Sequence, residues 1–145
     1  MWLIVIAGGI VLWHLVPQDR LFASGMIGIF ALALGLCNWV FIMYKAGSVH
    51  RKAPASVDNI NKLVKEGIYA QVRHPIYLAD IILACCVFVF YPDFRILAAA
   101  VWLIIVLVFW AKFEERMLEE KFLDDYREYK KRVPMLIPRF RKYPR

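Results

Sequence analysis

Four long apolar runs dominate this chain: Trp2–Val16, Leu21–Tyr44, Ile76–Tyr91 and Phe94–Phe113. Together they take up about half of its 145 residues, and 61% of all residues are hydrophobic. A soluble domain of this size has no use for so much apolar surface, so the expected solvent is a lipid bilayer. Inside a bilayer every backbone polar group must be satisfied within the protein, which makes each run a helix. The first and third runs fall short of the ~20 residues of an upright span, so tilt or local thinning is expected there. The first run lacks a basic start and an Ala-x-Ala-like end, which argues against a cleaved signal. The expected fold is an all-α integral membrane bundle of about four transmembrane helices, a single domain over residues 1–145, with a C-terminal amphipathic cytoplasmic helix.

The cations are unevenly shared. Only Arg20 lies between runs one and two, and only Arg95 between runs three and four. The central loop holds Lys45, Arg51, Lys52, Lys62, Lys65 and Arg73, and eleven more Lys and Arg follow from Lys112 onward. The positive-inside rule therefore places the central loop and both termini in the cytoplasm. The net charge of +7 reflects this bias together with attraction to anionic headgroups. Nucleic-acid binding is not expected, because the basic residues flank apolar helices and form no separate basic domain. Cys37, Cys85 and Cys86 all fall inside apolar runs without metal-ligand spacing. They read as small buried hydrophobes, and no metal site is expected.

Between the runs, Gly47 to Asp58 reads as loop, with Pro54 and Ser56 as breakers. Asp58 or Asn59 can cap a short helix that puts Ile60, Leu63 and Val64 on one face and ends at Gly67. Pro75 suits the first turn of the third apolar helix, and Tyr91-Pro92-Asp93-Phe94 forms a tight turn between two antiparallel spans. From Phe113 to Val133 an apolar stripe (Phe113, Met117, Leu118, Phe122, Tyr126, Tyr129, Val133) recurs at three- and four-residue steps, with charges elsewhere. Such a helix either lies along the membrane surface or packs back over the cytoplasmic loop. Pro134 and Pro138 end it.

Two polar clusters fall at the same end of neighbouring helices. Tyr69, Arg73, His74 and Tyr77 mark the entrance to the third run, and Glu114-Glu115 the exit of the fourth. Each residue has a structural reading: interfacial anchor, helix start, or belt tyrosine. Adjacent helix residues point about 100° apart, so one glutamate can face a pocket while the other faces water. A carboxylate against an apolar pocket suits a ligand ammonium or ribose hydroxyls. Asp80, His14 and Asn38 are the polar residues nearest the membrane interior. Asp80 lies about one turn deeper than Tyr77 on the same face, where it can orient Tyr77, touch a substrate, or pair with another helix. His14, near the opposite face, reads as a packing residue.

Gly67-Ile-Tyr-Ala-Gln-Val-Arg-His-Pro-Ile-Tyr-Leu, a helical hairpin, Glu114-Glu115, and then Phe122-x3-Tyr126-x2-Tyr129-x3-Val133-Pro134-x2-Ile137-Pro138 resemble the isoprenylcysteine carboxyl methyltransferase family. That family is related to integral-membrane phospholipid methyltransferases, and the match runs from about Leu63 to Pro138. The resemblance implies S-adenosylmethionine-dependent methyl transfer to a lipophilic, membrane-delivered acceptor. The resemblance also implies a cofactor-binding half at about residues 60–138, with the pocket formed by the last two membrane helices, their cytoplasmic connections and the tail helix. It further implies that Leu63, Val64, Tyr69, His74, Pro75, Ile76, Tyr77 and Glu114 line the cofactor. Arg73 and Glu115 complete the two motifs as catalytic candidates.

The chain departs from the family pattern on the acceptor side. Members acting on prenylated cysteine carry, one turn before the glutamate pair, an arginine that helps bind the substrate carboxylate; here that position is Trp110. A small residue, often glycine, commonly follows the first motif, where this chain has Ala79 and then Asp80. Asp80 and Trp110 are therefore the substrate-binding candidates, and the acceptor stays open among thiol, amine, carboxylate and phospholipid. Two other readings remain: a membrane reductase of related architecture, and a non-enzymatic membrane protein that binds lipid through its basic tail. Gly25, Gly28 and Gly35 allow close packing of the second run, within the chain or between chains.

Overall fold

The computed structural model describes residues 1–50 and 63–138, and among these all regular structure is helical. The described helices are α1 (Trp2–Leu15), α2 (Gly25–His50), α3 (Pro75–Phe90) and α4 (Phe94–Arg132), with one 3₁₀ turn, Gly67–Ala70, ahead of α3. Two helices, α2 and α4, are long and apolar enough to cross a membrane. The other two are apolar but shorter, at 14 residues for α1 and 16 for α3.

The helices pack in the spatial order α1, α4, α3, α2. Ser24 Oγ donates to the Phe90 carbonyl at 2.8 Å, and Trp39 Nε1 donates to Asp80 Oδ1 at 2.8 Å. Those two contacts run α2 antiparallel to α3. Between them, a Cβ on Gly28 would lie 2.9 Å from the Phe90 backbone, and one on Gly35 2.7 Å from Cys86 Cβ. Gly28 and Gly35 of α2 thus serve helix packing within the chain, whereas a Cβ on Gly25 would meet nothing. On the other flank, Trp102 Nε1 of α4 donates to the Ile4 carbonyl at 3.3 Å, and Arg95 Nε to that of Val16 at 2.9 Å. Gly8 makes room for the Trp102 indole.

Several boundaries differ from the sequence reading. The second helix starts at Gly25 and not Leu21, because Leu21 donates its N–H to the Pro92 carbonyl at 2.8 Å and the chain is held extended there. Asp93 caps α4 through Oδ1, which accepts from the Arg95 N–H at 2.8 Å, so the α3–α4 turn ends on a side-chain cap. The short helix expected over Ile60, Leu63 and Val64 does not reach its last two positions: Leu63 and Val64 are non-helical. Ile60 and the proposed caps Asp58 and Asn59 lie outside the described residues. Gly67, expected to end that helix, has φ +63° and opens the 3₁₀ turn. Leu63 is buried against Tyr126 and Tyr129, so tertiary packing takes the place of helix periodicity. The cysteines also differ from expectation, since Cys37 and Cys85 are exposed on the helix flanks and Cys86 is half-buried.

The fourth apolar run and the tail are one element. Helix α4 continues past Phe113 to Arg132, and its ladder is interrupted at Leu123, with φ 44° and ψ −120°. Beyond that break Tyr126 and Tyr129 are buried with Leu63, and Leu118, Phe122 and Val133 pack around them. The end of α4 is thereby laid over the segment that leads into α3.

Candidate functional site

His74 precedes α3 in a non-helical conformation, and Pro75 fills the first helical position, where its missing N–H leaves no bond unmade. The chain that leaves α4 returns to this point. The Arg73 N–H donates to the Pro134 carbonyl at 2.9 Å and the His74 N–H to that of Met135 at 3.1 Å. The Tyr129 hydroxyl donates to the Tyr69 carbonyl at 2.6 Å. Three segments remote in sequence, 69–77, 110–118 and 129–135, are thus tied at one end of the α3–α4 pair.

The two glutamates take different surroundings. Glu115 is buried: Arg73 Nε donates to its Oε1 at 2.7 Å, and Nη2 of the same guanidinium also lies 2.7 Å away. Arg73 Nη1 donates to the carbonyls of Lys130 and Val133 at 2.9 and 2.5 Å. The Lys130 ammonium reaches Glu115 Oε2 at 3.5 Å. Glu114, by contrast, faces a cavity of about 530 Å³. Its Oε1 accepts from the Tyr77 hydroxyl at 2.7 Å and from Trp110 Nε1 at 3.2 Å. His74 sits between the two carboxylates, with Nδ1 3.7 Å from Glu114 Oε2 and Nε2 3.4 Å from Glu115 Oε1. The Nε2 contact is not aligned as a hydrogen bond, so that ring nitrogen is buried and unpartnered. The His74 ring stacks on Tyr77, with centroids 5.4 Å apart and planes within 3°. Burial and, after it, the nearby Glu114 charge push the Tyr69 hydroxyl up to about 12.

The cavity collects most of the residues singled out from sequence. Tyr69, Arg73, His74, Pro75, Ile76 and Tyr77 line it from the α3 side, and Trp110 and Glu114 from α4. Leu63 lies instead in the cluster under the tail, and Glu115 in the ion pair behind the cavity wall. Val64, beside Leu63, and Asp80 are not part of the lining. Asp80 is held by Trp39, so of its three possible roles the structure shows the pairing with another helix. Phe113, Met117 and Leu118 complete the wall. In the sequence they belong to the apolar stripe, and only the nearness of Met117 and Leu118 to Glu114 on one helix face, at i+3 and i+4, signals a shared site.

A sequence model of one family, described as phospholipid methyltransferase, matches residues 23–125. The chain belongs to the phospholipid methyltransferase family. It is 46% identical over 71 residues to Methanethiol S-methyltransferase 1 of Bradyrhizobium diazoefficiens, a stretch covering 49% of this chain and 24% of that protein. It is also 35% identical over 103 residues to Protein-S-isoprenylcysteine O-methyltransferase of Schizosaccharomyces pombe, covering 66% of this chain and 42% of that protein. The chain therefore spans less than half the length of either curated relative. No solved structure matches it. In this phospholipid methyltransferase family member the matched region takes in α2, α3, both glutamates and every residue of the cavity wall.

Proposed function

We propose that this chain is an S-adenosylmethionine-dependent methyltransferase acting on a lipophilic acceptor at the cytoplasmic face of a membrane. The observation that carries the reading is the Glu114 carboxylate, fixed by Tyr77 and Trp110 on the wall of an aromatic cavity. A sulfonium is a cation, and aromatic faces around a carboxylate suit one. The His74 ring, stacked on Tyr77 in the same wall, adds an aromatic face to it. The residues present therefore fit the methyl donor. When bound, that donor supplies an activated methyl group whose transfer is an in-line displacement needing no metal and no covalent enzyme intermediate.

The protein's part is to bind, orient and exclude water. Glu114, Tyr69, His74, Pro75, Ile76 and Tyr77 hold the donor. Trp110, Phe113 and Met117, on the α4 side, form the apolar approach for an acceptor arriving from the bilayer. Arg73 and Glu115 do not need to touch reactants; their buried pair fastens the end of α4 over the cavity and so fixes the wall that Glu114 belongs to. Leu63 supports the same cover from below. The supporting topology is four spans, with the central loop and both termini in the cytoplasm, which sets the cavity where a polar donor and a lipid-borne acceptor meet.

The test is transfer itself. Purified protein incubated with methyl-labelled S-adenosylmethionine and a native lipid extract is expected to place label in a lipophilic product, and Glu114→Ala to abolish it. Label confined to the donor, with folded protein, contradicts the reading.

A further inference from the structure

Asp80 is the only charged residue of α3, and it is buried outside the cavity. Its Oδ1 accepts from Trp39 Nε1 at 2.8 Å. Its Oδ2 is buried with no hydrogen-bond partner among the described residues, and so is Nδ2 of Asn38, the residue before Trp39 on α2. A half-satisfied carboxyl between apolar helices is expensive, and a pair of apolar side chains in place of both partners is often as stable or more so. Helix stability therefore does not account for the pair. What a polar contact supplies between apolar helices is register, because it forms at one depth and one rotation only. Gly28 and Gly35 bring α2 close to Phe90 and Cys86 without any directional bond, and beyond them only Ser24 bonds to α3, at the end far from the cavity.

Tyr77 stands one turn before Asp80 on α3, and its hydroxyl holds Glu114 Oε1 at 2.7 Å. Helix α2 contributes no described residue to the cavity lining. A one-residue slip of a helix moves a side chain about 1.5 Å along the axis and turns it about 100°, which the Tyr77–Glu114 bond does not survive. Resting on the methyltransferase reading above, we infer that Asp80 is a positioning residue for the methyl donor. Bonded to Trp39, it fixes the height and rotation of α3 on α2, and so sets the Tyr77 hydroxyl against Glu114. Neither Asp80 nor Trp39 touches the donor. The role needs an acceptor oxygen at position 80 and not a charge, so the carbonyl of an asparagine fills it.

The experiment uses the full chain in phosphatidylcholine nanodiscs and reads two quantities for each variant: Tm, and the Kd for S-adenosylmethionine by calorimetry. In Trp39→Phe/Asp80→Leu both polar partners are replaced together, so Tm is expected to equal or exceed the parent's. Donor affinity in that variant is expected to fall about 10-fold or more, the scale of a misplaced binding group. Asp80→Asn is expected to bind the donor like the parent. Ser24→Ala, which removes the α2–α3 bond at the far end, is expected to leave affinity unchanged. On a Tyr77→Phe background the double replacement is expected to cost nothing further, because the hydroxyl that it positions is gone. Parent-like affinity in Trp39→Phe/Asp80→Leu, an equal loss in Ser24→Ala, or a full additional loss on Tyr77→Phe overturns the inference and leaves the methyltransferase reading standing. Should the double replacement not fold, Trp39→Phe and Asp80→Asn decide: weaker binding in the first alone supports the inference, and equal affinity in the two overturns it. Absence of S-adenosylmethionine binding in the parent removes that reading and this inference together.

Discussion

Arg73 and Glu115 show how much a single buried pair holds in this molecule. The guanidinium links the first turn before α3, the middle of α4 and the last carbonyls of α4. Removing it leaves a carboxylate buried without its main partner, a change that costs roughly 3–5 kcal/mol in comparable sites. Arg73→Ala is therefore expected to lower Tm strongly in detergent, and Arg73→Lys to recover only part, because an ammonium cannot span Glu115 and two carbonyls. An unchanged Tm in Arg73→Ala would show that the pair fastens nothing. Tyr69 gives a pH signature. Its folded value of about 12 exceeds the ordinary 10.0, so the fold favours the neutral hydroxyl. The resulting stability is complete below pH 10 and is lost as pH rises through 12. Thermal unfolding followed across that window should fall less steeply in Tyr69→Phe than in the parent. At this scale the sequence was legible where local chemistry decided the role. The Arg73-His74-Pro75 entrance and Glu114 stood out as polar groups at apolar helix ends. Asp80 did not declare its partner, because Trp39 lies 41 residues away on another helix and only the α2–α3 packing brings them together.

Among the elements, α4 carries the most information. Its stripe from Phe113 to Val133 divides the labour: Phe113, Met117 and Leu118 wall the cavity, and Tyr126 and Tyr129 close over Leu63. The break at Leu123 separates the two parts. Leu123 is exposed, and its positive φ lies where glycine alone is unstrained. Leu123→Gly is accordingly expected to stabilise the folded protein by about 1 kcal/mol, the relieved strain outweighing the added freedom of the unfolded chain. A lower Tm in that variant would mean that the leucine side chain, not its backbone, is what the bend needs. Tyr129→Phe removes the bond to the Tyr69 carbonyl and is expected to cost ~1 kcal/mol by the same assay. The periodicity of the stripe was visible in the sequence, but the break was not, since neither glycine nor proline marks it. The helix expected over Leu63 and Val64 failed at those positions for a related reason: Leu63 is used by a tertiary cluster with Tyr126 and Tyr129 that no local window contains.

At the scale of the whole molecule, apolar runs and charge bias account for the helical architecture, and the order α1, α4, α3, α2 adds what they could not supply. Small residues on α2 proved to face α3, a pairing set by Gly28 and Gly35 against Phe90 and Cys86. The proposed topology predicts that green fluorescent protein fused to either terminus fluoresces in a bacterial host, and that alkaline phosphatase fused at the same points is inactive. An active phosphatase fusion at either end would reverse that assignment. The central claim is that the cavity between α3 and the middle of α4 binds a methyl donor through Glu114 and His74. Isothermal titration calorimetry of the purified protein tests it most directly, with S-adenosylmethionine in one series and NADPH in the other. S-adenosylmethionine is expected to bind in the micromolar range, with a loss of at least about 10-fold in Glu114→Ala and His74→Ala with Tm retained, and NADPH is expected not to bind. Binding of NADPH in place of S-adenosylmethionine, or S-adenosylmethionine binding untouched by both substitutions, would contradict it.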